Sequence, residues 1–175
     1  MKISVVSGGF DPIHSGHIDY LKSAKKIGDY LIVALNSDDW LIKKKKKVFM
    51  SLQERMDILS NIRFVDEVVL FDDDDKGSCI DALEKIKKKY PDDEIIFCNG
   101  GDRDKENIPE MNVKNIDFKF SVGGINKKNS SSWLLKNWKF ESEERVWGSF
   151  FNLFDSQDVK VKELIVQPKK GMSFQ

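Results

Sequence analysis

The sequence predicts an α/β fold in which a parallel β-sheet carries helices on both faces. Three observations predict it. Over the first ninety-odd residues, short apolar runs alternate with segments of helical period. Each of the glycine pairs Gly8-Gly9, Gly100-Gly101 and Gly123-Gly124 falls directly after an apolar run. Strand–helix–strand alternation at this spacing implies right-handed βαβ units, whose ligands bind beyond the carboxyl ends of the strands.

Ile3 to Val6 forms the first apolar run, closed by glycine. Ile18, Tyr20-Leu21, Ala24 and Ile27 then recur at helical spacing, and Gly28 is placed as a C′ residue. Tyr30 to Leu35 is a second strand, bounded by Asn36-Ser37-Asp38. Ser51 and Glu54 form a capping box ahead of a helix carrying Met56, Ile58-Leu59 and Ile62. Val68 to Phe71 is a third strand. Ser78 opens a helix with Ile80, Leu83 and Ile86 on one face, and Pro91 stops it. Glu94 to Cys98 and Phe118 to Val122 are the fourth and fifth strands, and a short helix runs from Ser131 to Trp138.

After Trp138 the texture changes, so the expected division is a domain over 1–138 and a linker with a β segment over 139–175. Glu141, Glu143, Glu144 and Arg145 read as a charged linker. Arg145 to Ser149 and Val159 to Val166 read as strands, the second by its period-2 alternation. Strands this few do not make a stable unit alone.

Charge and cysteine usage narrow the function classes. Lys+Arg and Asp+Glu both count 29, so the overall basic excess usual for a general nucleic-acid binder is missing. Cys79 and Cys98 lie far apart, which disfavours a zinc site or a disulfide framework and fits a reducing compartment. No stretch approaches the ~18 apolar residues of a membrane helix. A cytoplasmic protein is expected.

The chemistry is expected between Ser7 and His17. Gly8-Gly9 permits a sharp turn and a close approach to a ligand. Gly16 lies at the entry of the first helix, where free N–H groups and the helix dipole favour an anion. His14 and His17 are the only histidines, and both can donate hydrogen bonds to phosphate oxygens. A His-x-x-His metal site ranks below this, because Asp11 is the only further ligand nearby. Lys43 to Lys47 form a basic run on the expected ligand edge, and Asp72 to Asp75 read as a solvated turn rather than a metal site.

Gly8-Gly9-Phe10-Asp11-Pro12-Ile13-His14-Ser15-Gly16-His17 resembles the His-x-Gly-His motif of the cytidylyltransferase-like nucleotidyltransferase superfamily. The resemblance covers about residues 1–138. It continues through Ile27 to Asp38, Gln53-Glu54-Arg55 and Ile62 to Val68. It is nearest the branch of glycerol-3-phosphate cytidylyltransferases and heptose-1-phosphate adenylyltransferases. Arg63 fits the first group, and Asn99-Gly100-Gly101-Asp102 fits the second.

The resemblance implies a Rossmann-like fold and transfer of a nucleoside monophosphate to a phosphorylated polyol or sugar, with release of pyrophosphate. CTP is favoured as donor. An ATP-dependent adenylyltransferase of the heptose type is the alternative, and an inactive nucleotide-binding module ranks third. The implied catalytic residues are His14, His17, Lys44 and Lys46. Gly8, Gly9, Phe10, Asp11, Gly16, Arg55, Asp102, Ser130, Ser131 and Ser132 would bind nucleotide. Asp38 and Arg63 would bind the acceptor. Arg103 is a further contact at the base or sugar, and Trp40 more simply covers the sheet edge. Mg²⁺ would enter with the NTP, and a homodimer is expected by analogy. Lys127 and Lys128 stand near where the cytidylyltransferases carry an arginine; a lysine supplies charge without the guanidinium fork.

The tail from Arg145 onward is similar to the opening of cupin domains of the type II mannose-6-phosphate isomerase group. It reaches no His-rich metal motif, so isomerase chemistry is not expected in these residues. A piece of a fused enzyme, or a remnant of one, is.

Overall fold

The computed structural model describes residues 1–101, 108–124, 130–136 and 142–172. Five strands form one parallel sheet: β1 (Lys2–Gly8), β2 (Tyr30–Leu35), β3 (Glu67–Leu70), β4 (Glu94–Cys98) and β5 (Asp117–Lys119). Their order is β3-β2-β1-β4-β5. Successive strands step outward from β1 in one direction, and then the chain crosses back to β4 on the other side. The order therefore reverses between β1 and β4. At such a switch point the two neighbouring loops leave the sheet in opposite directions and open a crevice at its carboxyl edge.

The central strands are buried on both faces, which is why Ile3–Val6 and Leu31–Leu35 read as continuous apolar runs rather than alternating ones. On one face Leu21 and Ala24 of α1 (Ser15–Lys25) and Leu59 of α3 (Leu52–Ser60) pack against Val6, Val33, Leu35, Ile96 and Cys98. On the other, Ala82, Leu83 and Ile86 of α4 (Ile80–Lys89) pack against Ile3, Val5, Ile32, Ala34, Ile95 and Phe97.

Several boundaries differ from the sequence reading. The run after β2 is helical, α2 (Asp38–Lys45), because Ser37 caps it by accepting the Trp40 N–H at 3.0 Å. The third strand is Glu67–Leu70, and the fifth is only Asp117–Lys119. The helix opened by Ser78 begins at Ile80, with Cys79 as its cap residue. Helix α1 ends at Lys25, so Gly28 is not its C′ residue. Gly28 instead lies flat against β1, where a Cβ would stand 2.6 Å from the Lys2 carbonyl oxygen.

The chain divides into two compact units, Met1–Leu134 and Leu135–Gln175. The short helix α5 (Ser131–Lys136) spans that division, and the boundary expected after residue 138 lies outside the described residues. The second unit holds an antiparallel sheet of β6 (Ser142–Arg145), β7 (Gly148–Asp155) and β8 (Lys160–Val166), in that order. The expected charged linker is thus a strand, and the expected strand over 145–149 is broken by a turn at Val146-Trp147. Gly148 makes that turn fit. Its φ is +147°, and a Cβ there would stand 1.9 Å from the Ile165 carbonyl oxygen. No helix among the described residues is long and apolar enough to cross a membrane.

Candidate active site

The switch point is flanked by the loop that follows β1. Phe10 takes the left-handed backbone conformation, with φ +49°, and is 3% exposed. Its ring meets His17 edge-on at 5.0 Å. His14 is extended and caps α1, its Nδ1 accepting the Gly16 N–H at 3.1 Å. That bond assigns the neutral tautomer: with Nδ1 as acceptor, Nε2 carries the proton and remains a donor. The His14 and His17 rings stack at 3.8 Å with 22° between their planes.

Burial pushes the His17 pKa down to about 3, with smaller contributions from a second imidazole at His14 and from the Lys45 ammonium, both of which disfavour a further positive charge there. His17 is therefore a neutral imidazole at neutral pH, and its buried Nδ1 has no hydrogen-bond partner among the described residues. The unfolded chain binds one more proton than the folded one between the two pKa values. Stability consequently falls as pH drops through that window, by about 1.4 kcal/mol per unit between roughly pH 6.5 and 3. Urea unfolding at pH 7 and pH 5 is expected to show about 2 kcal/mol more loss in the wild type than in His17→Gln. Equal losses would remove the buried neutral imidazole from the account.

Outside donors hold the loop's carbonyls. The Gly8 oxygen accepts the Asn36 N–H at 3.1 Å, and the Gly9 oxygen accepts Arg55 Nη1 at 2.8 Å. The Asp11 oxygen accepts Lys45 Nζ at 2.9 Å, and the Pro12 oxygen accepts Ser131 Oγ at 2.9 Å. The negative ends of these peptide dipoles are thereby neutralised by protein, which favours an anion at the same loop. Asp11 is 1% exposed, and its carboxylate is spent on the Phe49 and Met50 N–H groups at 2.9 and 2.8 Å. It pins the end of the lysine segment to the loop.

Arg55 is among the largest fully buried side chains of the described residues. It bonds the Gly9, Asn36 and Met50 carbonyls and pairs with Asp38 at 2.6 Å. Its fork is committed to holding three segments together, so the expected approach to phosphate does not describe this geometry. Asp38 is likewise committed, to Arg55 and to the Leu52 N–H at 3.1 Å.

The helical turn redistributes the lysines. Lys44 lies 4.3 Å from the Trp40 ring centroid, and Lys46 is the exposed left-handed C-cap of α2. Lys45 faces the histidine loop instead, because it stands one turn beyond the fully buried Leu41. Burial lowers its pKa below the usual ammonium range; Asp11 opposes that shift and Arg55 adds to it. Sequence reasoning missed Lys45 by treating the run as a loop. The N-cap signal at Ser37, carried forward with helical period, identifies it.

Ser131 is buried against Pro12, Ser130 caps Trp133 by accepting its N–H at 3.1 Å, and Ser132 is exposed. Trp40 donates its indole N–H to the Gly77 oxygen at 3.3 Å. The carboxylates of the aspartate turn are engaged by protein, Asp73 accepting from Asn36 and Ser37 after β2 and Asp74 from Ser78. Among the described residues no group of three His, Cys, Asp or Glu is placed to hold a metal ion.

Arg63 requires correction. It follows the end of α3 and precedes β3, which puts it at the amino edge of the sheet, opposite the histidine loop. A helix returning antiparallel to its strands carries its last turn away from the site, so Arg63 does not join the acceptor site of its own chain. Asp102, Arg103, Lys127 and Lys128 lie outside the described residues.

The profile of the cytidylyltransferase-like family matches residues 5–144. The chain is 46% identical over 69 residues to glycerol-3-phosphate cytidylyltransferase of Bacillus subtilis (strain 168), covering 39% of this chain and 54% of that protein. It is 37% identical over 138 residues to the bifunctional protein HldE of Actinobacillus succinogenes, covering 73% of this chain and 27% of that one. The matches thus span about half of the first relative and about a quarter of the second. Among solved structures, the lipopolysaccharide core biosynthesis protein from Thermoplasma volcanium GSS1 aligns with a TM-score of 0.54 at 25% identity, covering 74% of this chain and 99% of that one.

Proposed function

Since the chain belongs to the cytidylyltransferase-like family, we propose that it transfers a nucleoside monophosphate from an NTP, with CTP favoured, to a phosphorylated polyol or sugar. The observation that carries this reading is the stacked His14–His17 pair at the N-terminus of α1, beside the switch point of the sheet.

An acceptor phosphate oxygen attacks the α-phosphorus, a new P–O bond forms, and the bond to pyrophosphate breaks. A phosphate monoester is largely dianionic at neutral pH (second pKa about 6), so it needs little help from a base. Catalysis is then positioning and charge neutralisation. His14 Nε2–H and His17 donate to the transferring and leaving phosphoryl oxygens. Lys45 supplies the nearby positive charge, and Ser131 fixes the loop through Pro12. The triphosphate is proposed to enter as its Mg²⁺ complex, whose metal neutralises phosphate charge; Asp11 is already engaged by backbone. The dimeric and cytoplasmic states belong to the same proposal.

Pyrophosphate release measured across the four NTPs, with glycerol 3-phosphate and several sugar phosphates, tests the reading. No acceptor-dependent release with any pair would overturn it. The turn Asn99-Gly100-Gly101 after β4 favours a second reading, AMP transfer from ATP to a sugar 1-phosphate, and the same panel separates the two. Lys45→Met is expected to lower kcat/KM by about 10²-fold, and more than Lys44→Met does. The reverse order would return the phosphate contact to Lys44.

A further inference from the structure

Two buried polar side chains near the carboxyl edge are left incompletely paired among the described residues. Glu110, 2% exposed, accepts the Cys79 N–H at 3.0 Å and the Cys79 thiol at 3.3 Å, both through Oε1. Its Oε2 is buried and accepts nothing. Asn99, also 2% exposed, has a buried Nδ2 that donates to nothing. Buried polar groups of this kind are costly and rare. The bond from Cys79 gives Oε1 a structural role at the start of α4, but it does not account for Oε2.

Strand alternation places both on one side of the sheet. Cys98 belongs to the cluster packed by α1, and a Cβ on Gly100 would stand 3.1 Å from the Tyr20 ring of α1. Asn99, between them, projects to the α4 side. Phe97 and Cys79 lie in the cluster on that side, and Glu110 bonds to Cys79. Asn99 also sits at the end of β4, beside the reversal point and across the strand ends from the histidine pair. A carboxylate oxygen seeks a donor and a carboxamide N–H seeks an acceptor. A hydroxyl is both, whereas an ammonium offers nothing to Asn99.

Building on the nucleotidyl-transfer reading, we propose that Glu110 and Asn99 are specificity residues that bind hydroxyl groups of the acceptor, which makes the acceptor a phosphorylated polyol rather than an alkyl or aminoalkyl phosphate. Glu110→Gln keeps an oxygen for the Cys79 N–H while changing the second position, so it tests the pairing without removing the support of α4. The probes are glycerol 3-phosphate, propyl phosphate and phosphoethanolamine, each with CTP and the full chain.

The wild type is expected to prefer glycerol 3-phosphate over propyl phosphate by about 10²-fold in kcat/KM. Glu110→Gln and Asn99→Ala are each expected to cut that preference about tenfold or more through the acceptor KM. The acceptor KM rises further than the KM for CTP, and the rate with glycerol 3-phosphate falls further than the rate with propyl phosphate. An unaltered preference in both variants, or an effect confined to phosphoethanolamine, overturns the assignment. If no acceptor turns over, the nucleotidyl-transfer reading is what fails. Calorimetric binding of glycerol 3-phosphate and propyl phosphate then decides the assignment. Tighter binding of the hydroxylated probe that Glu110→Gln abolishes sustains it, and equal binding overturns it.

Discussion

His14→Ala and His17→Ala are each expected to lower kcat/KM for nucleotidyl transfer by about 10²–10³-fold, the usual cost of removing one preorganised donor from a developing phosphoryl charge. The two variants differ in what else they disturb. His14 Nδ1 caps α1 at Gly16, so His14→Ala also loses about 1 kcal/mol of stability. His14→Asn restores a capping acceptor without the imidazole, and is expected to recover stability but not turnover. His17 makes no such bond; its ring stacks on His14 and meets Phe10 edge-on. Deleting it relieves a desolvated nitrogen while opening space beside Phe10, so the fold is expected to survive. Steady-state kinetics with urea unfolding on the same preparations separates the two effects. Turnover near wild type in both alanine variants would remove the histidine pair from the mechanism.

Arg55→Ala is expected to destabilise the first unit by about 3 kcal/mol or more, because each buried acceptor left without a donor costs about 1–3 kcal/mol. The reasons are local. Its guanidinium is fully buried and satisfies the carbonyls of Gly9, Asn36 and Met50 as well as Asp38. Removing it leaves those acceptors without their donor and loosens the histidine loop, α2 and the start of α3 together. Arg55→Lys is expected to recover little, because one ammonium on a flexible stem cannot reproduce a planar fork that spans three segments. Urea unfolding of both variants measures this. Unchanged stability with a selective rise in the KM for NTP would instead make Arg55 a phosphate ligand, as the family resemblance implies.

The contrast between Arg55 and Lys45 shows where sequence reading stops. Motif matching assigns both segments to the ligand edge, and the structure agrees on the edge. What it changes is direction: Arg55 turns inward to tie the loop down, and Lys45, one helical turn beyond Leu41, donates to that loop, which the basic run alone did not single out. Arg63 shows a stronger limit. It stands in a segment that matches the family well, yet chain direction carries it to the amino edge. In a parallel βαβ unit the helix ends at the amino edge whatever the strand order, so the alternation of elements, and not the residue match, locates Arg63.

By itself the sequence determined the alternation of strands and helices, the parallel sheet and the place of the histidine loop at its carboxyl edge. These are local properties: continuous apolar runs, helical periodicity and glycine pairs act within a few residues. The tertiary structure alone decided the order β3-β2-β1-β4-β5, the tethering of four loop carbonyls and the unpaired atoms Glu110 Oε2 and Asn99 Nδ2. It also showed the turn at Val146-Trp147 and a strand in the supposed charged linker. Those features depend on contacts between residues tens of positions apart, such as Arg55 with Gly9 and Ser131 with Pro12. Such contacts leave no period in the chain, because a hydrogen bond depends on where two groups meet in space and not on how far apart they stand in sequence.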